Sequence, residues 1–263
     1  MIKGVDLSEH NGNVDIRKLK ENGIEFAILR AGYGKNKSQI DRMFYNNYKK
    51  AKENNLPIGV YWYSYATNID DAKKEAEVLL EVIDGLILEY PIFIDMEDAD
   101  GYKAKRNVSD NMCVDICETF CNIIENAGYY TGIYANLDWL NNKLNKNKLD
   151  KFDKWVAQWG KKCTYKYKYG MWQFTNSGKI DGITSKLDFN YALYDYKKII
   201  KENNLNKVKN CSTEYKYYQV KEGDTLSSIA QKYNTTWNEI YNKNKSIIGN
   251  NPNLIQIGIK LII

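Results

Sequence analysis

The amino-acid sequence predicts an α/β fold, namely a modified, irregular β/α barrel of the TIM-like kind followed by a small β-α-α-β domain. Short apolar runs alternate with helical segments over about the first 195 residues, which is typical of a mostly parallel sheet covered by helices. After Tyr191 the pattern changes to Asn-rich and Lys-rich sequence and then to a second, shorter unit. We therefore expect a barrel, a linker and a small second domain.

Eight runs are predicted to be strands because each has the length and composition of a strand and turn-forming residues beside it. They cover residues 3–8, 26–31, 58–65, 92–95, 131–135, 155–159, 170–174 and 186–191. Helices are predicted near residues 14–22, 40–54, 69–84 and 108–127, with a shorter one near 136–144. The segments that join the last three strands are too short for full helices, so a regular eightfold β/α alternation is not expected.

The fourth strand leads directly into a cluster of acids. Residues 92–94 are apolar and follow Pro91, as in a strand buried on both faces, and Asp95 and Glu97 come next. Two residues apart on a strand, these carboxyls share one face, with Cα atoms roughly 6.5 to 7 Å apart. The pair fits a general acid beside a charge-stabilising carboxylate. An acidic loop that merely caps the strand is the alternative, since a D-x-E sequence is common.

Other polar and aromatic residues are expected at the same end of the barrel, where β/α barrels carry their working residues. Asp6 ends the first strand and Asp188 lies in the eighth, its neighbour in a closed barrel, so both are expected to meet Asp95 and Glu97. Aromatic rings bind sugar faces well. The aromatic candidates are Tyr33 after strand two, Tyr61 and Tyr63 on strand three, Tyr134 on strand five, Trp159 on strand six and Trp172 on strand seven. At least half of them are expected to be packing residues.

Composition excludes several classes of protein. The net charge of +5 comes mostly from Lys interleaved with Asn, which indicates a solvated surface rather than a nucleic-acid interface, although it allows weak attraction to an anionic cell wall. No segment approaches the roughly 20 apolar residues of a membrane span. Residues 1–6 lack the apolar core of a signal peptide. We therefore expect neither membrane insertion nor a nucleic-acid partner.

Neither a metal nor a cofactor is predicted. The chain has five cysteines, an odd number, so a disulfide framework is not expected. Cys113, Cys117 and Cys121 recur every four residues along the apolar stripe of one helix, which favours core packing over the alternative of a metal site. With His10 as the single histidine, zinc-dependent hydrolysis and Ser-His or Cys-His catalysis are poor matches.

An ordered set of motifs over roughly residues 1–195 resembles glycoside hydrolase family 25, the lysozymes of the Chalaropsis type. The motifs are Gly4-Val5-Asp6-Leu7-Ser8, Gly59-Val60-Tyr61, Ile94-Asp95-Met96-Glu97, Met171-Trp172-Gln173 and Leu187-Asp188-Phe189-Asn190. The resemblance implies an N-acetylmuramidase that cuts the β-1,4 bond between N-acetylmuramic acid and N-acetylglucosamine. Carried over by position, Glu97 matches the general acid, and Asp95, Asp6 and Asp188 match the acids around it. The substrate-binding candidates are Tyr61, Tyr33, Tyr63, Tyr134, Trp159, Gln173 and Asn190.

Residues 217–262 show the pattern of a strand, two helices and a closing strand, with Thr236 and Glu239 as a capping box for the second helix. The run Val220-Lys221-Glu222-Gly223-Asp224-Thr225-Leu226 resembles a LysM domain, a module that binds N-acetylglucosamine-containing glycans. The predicted division is a catalytic barrel over 1–200, a linker over 201–214 and a LysM domain over 215–263. A single LysM module is expected to bind weakly and to concentrate the enzyme at the wall.

The expected function is hydrolysis of bacterial peptidoglycan, which is also the expected partner. A chitinase-like glycosidase is one alternative, but common chitinases carry two further aspartates upstream, and Phe93 occupies the position of one of them here. A non-catalytic wall-binding protein is another, and the presence of Glu97 speaks against it. Without a signal peptide, the expected setting is that of a phage endolysin, made in the host cytoplasm and released through a separate pore. A bacterial autolysin exported by another route is the alternative.

Overall fold

The computed structural model describes residues 1–208 and 217–263. Contacts divide the chain into two compact units, residues 1–209 and 210–263, which we treat one at a time. Within the described ranges, no helix is both long and apolar enough to cross a lipid bilayer.

Eight strands of the first unit close into a barrel in sequence order. The strands are β1 (Ile2–Leu7), β2 (Phe26–Tyr33), β3 (Ile58–Tyr63), β4 (Ile92–Asp95), β5 (Thr131–Asn136), β6 (Asp153–Ala157), β7 (Met171–Gly178) and β8 (Leu187–Ala192). The helices are α1 (Ile16–Glu21), α2 (Phe44–Glu53), α3 (Ile69–Val82), α4 (Asp110–Asn126) and α5 (Tyr196–Glu202). The predicted α/β barrel is confirmed, with all eight strands near their expected positions.

The barrel is irregular in its second half, as expected. An α-helix follows each of β1 to β4, whereas a short π-helical turn, Trp139–Lys143, follows β5, and no α-helix joins β6 to β7 or β7 to β8. Strands β1 to β7 pair in parallel, but β8 runs antiparallel to both β7 and β1. The start of β8 therefore lies at the barrel end where β1 and β4 finish, which places Asp188 opposite Asp6.

Two local expectations need correction. Trp159 was predicted on strand six, but β6 ends at Ala157, and Trp159 lies in the following segment, where it is 60% exposed. The backbone on either side of it still donates to β7, from Gln158 to Gln173 and from Gly160 to Phe174. Tyr33 was expected after strand two, but β2 extends to include it through its pairing with Tyr63. Both residues remain at the carboxyl end of their strands, which is the end that carries the acids.

Helix α4 shows why the repeated cysteines need no functional explanation. Cys113, Cys117 and Cys121 are buried against the barrel, as the core interpretation predicted. Burial raises the pKa of the Cys117 thiol well above its usual value, as expected for an inert core thiol. No group of His, Cys, Asp and Glu residues suited to hold a metal ion occurs among the described residues.

The second unit has its own small core. Strand β9 (Tyr217–Gln219) pairs antiparallel with β10 (Lys260–Ile262), and helices α6 (Leu226–Lys232) and α7 (Trp237–Ile248) lie between them in sequence. The predicted capping box of Thr236 and Glu239 is present at the start of α7. Buried apolar residues of both strands and both helices form the core. The β-α-α-β pattern is therefore confirmed.

The predicted linker over 201–214 lies partly outside the described residues, which stop at 208 and resume at 217. Its first part continues α5 and then contacts the barrel. Asn206 is fully buried, and its side-chain amide donates to the Tyr90 carbonyl and accepts from the Tyr130 N–H. The position of the domain boundary stays a prediction.

Candidate active site

The four predicted acids surround one phenol at the mouth of the barrel. Burial raises the pKa of Tyr134 well above its usual value, and the carboxyls of Asp95, Glu97, Asp6 and Asp188 raise it further, in that order. Because the interaction between charges weakens with distance, four carboxyl groups that all raise the pKa of one phenol lie near it and form a common site. The acids come from β1, β4, the segment after β4, and β8.

Asp6 and Asp188 face each other across the antiparallel pair β1–β8. Asp6 is the more deeply buried of the two, and burial together with the nearby Asp188 charge raises its pKa well above the usual range. The pKa of Asp188 is also raised by burial, but a hydrogen bond from Asp6 opposes the rise. Within the pair, the environment of Asp6 therefore favours a proton more strongly than that of Asp188.

Asp95 is the last residue of β4 and is only 4% exposed. Its Oδ1 atom is buried and has no hydrogen-bond partner within the part of the chain that the structure describes. Burial raises its pKa well above the usual value, with Glu97 adding to the rise and Lys103 opposing it. As the charge-stabilising carboxylate of the predicted pair, Asp95 was expected to be ionised. In the free protein its environment instead favours the protonated form, because a buried carboxylate without a donor is costly.

Glu97 lies two residues beyond the end of β4, in a segment rather than on the strand. It is half-buried, and its carboxylate makes no hydrogen bond to another described residue, so it is open to a ligand. Burial raises its pKa and Lys103 lowers it. The segment is anchored on either side of the carboxyl group: Met96 N–H donates to the Tyr134 carbonyl at 2.9 Å, and Asp98 accepts from the Lys103 N–H at 2.7 Å.

Gln173 on β7 connects the acids to the aromatic candidates. Its side chain is 2% exposed, and its amide oxygen accepts from Tyr134 Oη and from Trp159 Nε1, each at 3.2 Å. Its amide nitrogen donates to Asp6 Oδ2 at 3.0 Å and to Asp188 Oδ2 at 3.4 Å. The side-chain oxygen of Gln173 therefore accepts two hydrogen bonds and its nitrogen donates two. All four belong to one network.

Asn190 on β8 makes a second link to the same acid. Its amide nitrogen donates to Asp6 Oδ2 at 2.8 Å, and its oxygen accepts from Trp155 Nε1 at 2.8 Å. The Trp155 ring packs edge-on against Tyr134 and against Tyr61 inside the barrel. Asn190 was predicted to bind substrate, but its side chain is fully buried and orients Asp6 instead.

The tyrosines predicted for substrate binding fall into two groups. Tyr61 and Tyr134 lie among the acids, since carboxyl groups of the site raise the pKa of both phenols beyond the effect of burial. Tyr63 and Tyr33 line a neighbouring groove of about 420 Å³ together with Tyr65, whose ring contacts both of theirs. Burial followed by Glu97 raises the pKa of Tyr63, so this groove borders the acid site.

Several residues at the site were missed from the sequence. Trp155 was assigned to a strand but not to the site, and Tyr65 was seen only as the end of a strand. Arg30 lines the groove, held by Asp41 at 2.7 Å and by Glu9 at 2.9 Å. Lys103 approaches Glu97 from a turn after β4. For Trp155 and Tyr65, the only indication in the sequence was their position on a predicted strand. For Lys103, it was the presence of a cation shortly after an acidic run.

Known protein families match both units of the chain. The model of "Glycosyl hydrolases family 25" matches residues 5–183, and that of the "LysM domain" matches residues 218–263. The autolytic lysozyme of Clostridium acetobutylicum is 29% identical over 188 residues, which cover 71% of this chain and 54% of that protein. The chain thus spans about half the length of this curated relative.

Solved structures give the same result. The CTP1L endolysin is 27% identical with a TM-score of 0.62, over 77% of this chain and 70% of that one. The lysozyme from Streptomyces coelicolor, at 20% identity, shows the shared fold with a TM-score of 0.65 over 80% of this chain and 97% of that one. Because the family model covers more than half of the chain, the protein belongs to glycosyl hydrolase family 25, with a LysM domain match over residues 218–263.

Proposed function

We propose that the protein is an N-acetylmuramidase that cleaves the β-1,4 bond between N-acetylmuramic acid and N-acetylglucosamine in bacterial peptidoglycan. The observation that carries the proposal is the group of four carboxyls around Tyr134, of which Asp95 and Glu97 have no donor among the described residues. Unsatisfied carboxyls at the mouth of a family 25 barrel suit proton transfer to a glycosidic oxygen. We further propose that the protein acts at the cell wall.

Glu97 is assigned the role of general acid. It is the more accessible member of the pair with Asp95, and its raised pKa favours a proton at near-neutral pH. Its open carboxyl group is the one that a substrate can approach from the Tyr63 side of the groove. A proton delivered from Glu97 to the glycosidic oxygen lets the leaving sugar depart as a neutral alcohol.

Asp95 is assigned to the 2-acetamido group of the muramic acid. An amide N–H donated to the orphan Oδ1 stabilises the ionised form and so lowers the pKa of Asp95 when substrate binds. The pair then carries a single proton on Glu97, because two adjacent carboxyls resist double ionisation. Binding of substrate therefore sets the protonation state that the reaction needs, which differs from that of the free protein.

The remaining residues hold this arrangement in place. Gln173 and Asn190 both donate to Asp6, and Asp6 hydrogen-bonds the ionised Asp188. The ionised Asp188 lies on the barrel end that carries Glu97 and favours the protonated form of that acid. Its remaining acceptor positions are suited to a sugar hydroxyl or the acetamido N–H.

A test of the reaction class is mass spectrometry of fragments released from purified peptidoglycan. A muramidase leaves muramic acid at the new reducing end, whereas an amidase or peptidase leaves glycan strands uncut. Colloidal chitin is the matched control substrate and should yield few reducing ends. Efficient chitin cleavage would favour the chitinase-like alternative, and co-sedimentation with walls without new reducing ends would favour a non-catalytic binder.

The stereochemistry of the cut is predicted to be retention. Asp95 and Glu97 come from the same strand end, so they do not flank the sugar from opposite faces as inversion requires. The acetamido carbonyl oxygen supplies the internal nucleophile instead, and the first-formed product should be the β anomer. Proton NMR during early turnover checks this. An α product would contradict it, as would undiminished cleavage of glycans whose muramic acid is N-deacetylated.

The second unit is proposed to bind N-acetylglucosamine-containing glycan and to raise the local concentration of the barrel at the wall. It carries a groove of about 420 Å³ bordered by Thr225, Trp237 and Asn253. Trp237 is 47% exposed, which suits stacking on a sugar ring.

Removal of this unit should separate wall binding from chemistry. A chain ending at residue 214 is expected to cleave soluble muropeptide oligomers at a nearly unchanged rate and to act about tenfold or more weakly on whole walls, within the range of avidity effects. Trp237→Ala in the full chain should reproduce the wall defect, with Ile257→Ala, an exposed control on the same unit, unaffected. Equal losses on both substrates would show that the unit completes the active site instead.

A further inference from the structure

Lys103 is a buried cation next to the acid site. It lies in the turn after β4, and its side chain belongs to a residue that is 3% exposed. Its ammonium donates to the Glu97 carbonyl at 2.9 Å and also to the Ser64 carbonyl at the end of β3. The ammonium thus ties the segment that carries the acid to the neighbouring strand.

The same Ser64–Tyr65 peptide is held from its other side by a second buried charge. The Tyr65 N–H donates to Glu75 Oε1 at 2.8 Å, and Glu75 lies on α3 with 1% exposure. One peptide group therefore stands between the two charges, with its carbonyl toward Lys103 and its N–H toward Glu75. That orientation aligns the peptide dipole with both charges and stabilises each of them.

No carboxylate lies within ion-pair distance of Lys103 among the described residues, so its charge acts through space on several acids. It opposes the burial-driven rise in the pKa of Asp95, Glu97 and Glu75. The other charges that face this acid pair are Asp6 and Arg30 toward Asp95, and Asp100 and Asp188 toward Glu97. Cys113 and Cys117 pack nearby as neutral thiols, since burial raises the pKa of both.

We propose that Lys103 is a positioning residue for the reaction: paired with Glu75 through the Ser64–Tyr65 peptide, it fixes the Glu97 segment and sets the pH range in which the Asp95–Glu97 pair carries one proton. The inference rests on the proposed function, since it assigns Glu97 as the acid. Lys103 does not touch the reacting atoms. Its effect is exerted through the backbone it holds and the charge it places beside the pair.

The sign of the pH effect follows from the charge. A cation stabilises ionised carboxyls, so loss of Lys103 raises the pKa of both Asp95 and Glu97. The limb of the pH profile that needs an ionised Asp95 and the limb that needs a protonated Glu97 then both move to higher pH. Loss of the Glu75 negative charge leaves the positive charge of Lys103 less neutralised, which lowers the pKa of both acids and moves both limbs of the pH profile to lower pH. Burial raises the pKa of Glu75 to about 7, so this second effect is largest above neutrality.

The test compares pH profiles of kcat/KM on purified walls for the parent protein and four variants. Lys103→Met should shift the profile upward by about half a pH unit or more and lower its maximum about tenfold, within the range reported for misplaced catalytic groups. Lys103→Arg keeps the positive charge but cannot reproduce the hydrogen bonds of the ammonium. The maximum of its pH profile should therefore fall while both limbs stay at the same pH. Glu75→Gln should shift the profile downward. Lys105→Met, two residues along on the exposed surface, is the matched control and should change nothing.

The outcomes separate this inference from the proposed function. A wild-type protein that releases no muramic acid reducing ends contradicts the function itself. An active wild type whose Lys103→Met variant keeps both limbs in place overturns the positioning role alone, and so does an equal shift in Lys105→Met. Should Lys103→Met fail to fold, as judged by its thermal unfolding, carboxyl ¹³C NMR titration of Glu75→Gln still decides: an unchanged or raised apparent pKa of the Asp95–Glu97 pair overturns the inference.

Discussion

Replacing Glu97 with glutamine should lower the rate of wall cleavage by about 10²- to 10⁴-fold, the range expected when a positioned general acid is lost. The amide has the shape of the acid but cannot deliver a proton to the leaving oxygen. The Glu97 carboxylate makes no hydrogen bond to another described residue, so the change breaks no hydrogen bond of the fold. Initial rates of reducing-end release measure the effect.

The unfolding temperature and wall binding of Glu97→Gln should match those of the parent. Glu77→Gln, an exposed change on α3, is the matched control and should retain full activity. Near-parental turnover by Glu97→Gln would remove Glu97 from the role of acid. A large fall in unfolding temperature would instead mean that the residue is structural, contrary to its open environment.

Replacing Asp95 with asparagine should lower kcat by about 10²- to 10³-fold, as for loss of one preorganised group that stabilises developing charge. The asparagine can present the same oxygen to the acetamido N–H but carries no charge to stabilise the cyclised acetamido group. KM should change less than kcat, because the positive charge on that group develops only after binding.

Stability provides an independent readout for this variant. Burial raises the pKa of Asp95 well above its unfolded value, so the folded state is favoured where the residue is protonated, and that stability is lost as the pH rises through the folded pKa. Asp95→Asn removes this loss and should be more resistant to unfolding than the parent at alkaline pH. Asp84→Asn, an exposed change, should show neither effect. An Asp95→Asn protein that is fully active would contradict the proposed mechanism, and one that gains no alkaline stability would contradict the deduced protonation.

Much of the barrel could be predicted from sequence because burial leaves a local signature. A strand such as β4, covered on both faces, is apolar up to its last residue, and a helix such as α4 must repeat apolar residues at its own period. The positions of Asp6, Asp95 and Asp188 at strand ends follow from the same pattern. The candidate acids could therefore be named, although their roles in catalysis remain proposals.

The direction of β8 had only an indirect signal. The short connection over residues 179–186 is compatible with an antiparallel return, whereas a parallel strand needs a crossover of about a dozen residues or more. Nothing local in Leu187-Asp188-Phe189-Asn190 distinguishes the two directions, since both place alternate residues on one face. The pairing with β1 and β7 decides that Asp188 meets Asp6.

The sequence by itself determined the two-part organisation, the eight strands and the positions of the four candidate acids, because these depend on the periodicity and order of residues along the chain. The tertiary structure alone decided which of these acids have raised pKa values and which groups hold them in place. Gln173 and Asp6 are far apart in sequence, as are Lys103 and Ser64, and their hydrogen bonds exist only once the strands are neighbours. Protonation depends on burial and on the sum of nearby charges, and both are properties of three-dimensional packing. From the sequence Asp95 looks like an ordinary ionised aspartate, but its buried environment in the folded protein favours the protonated form.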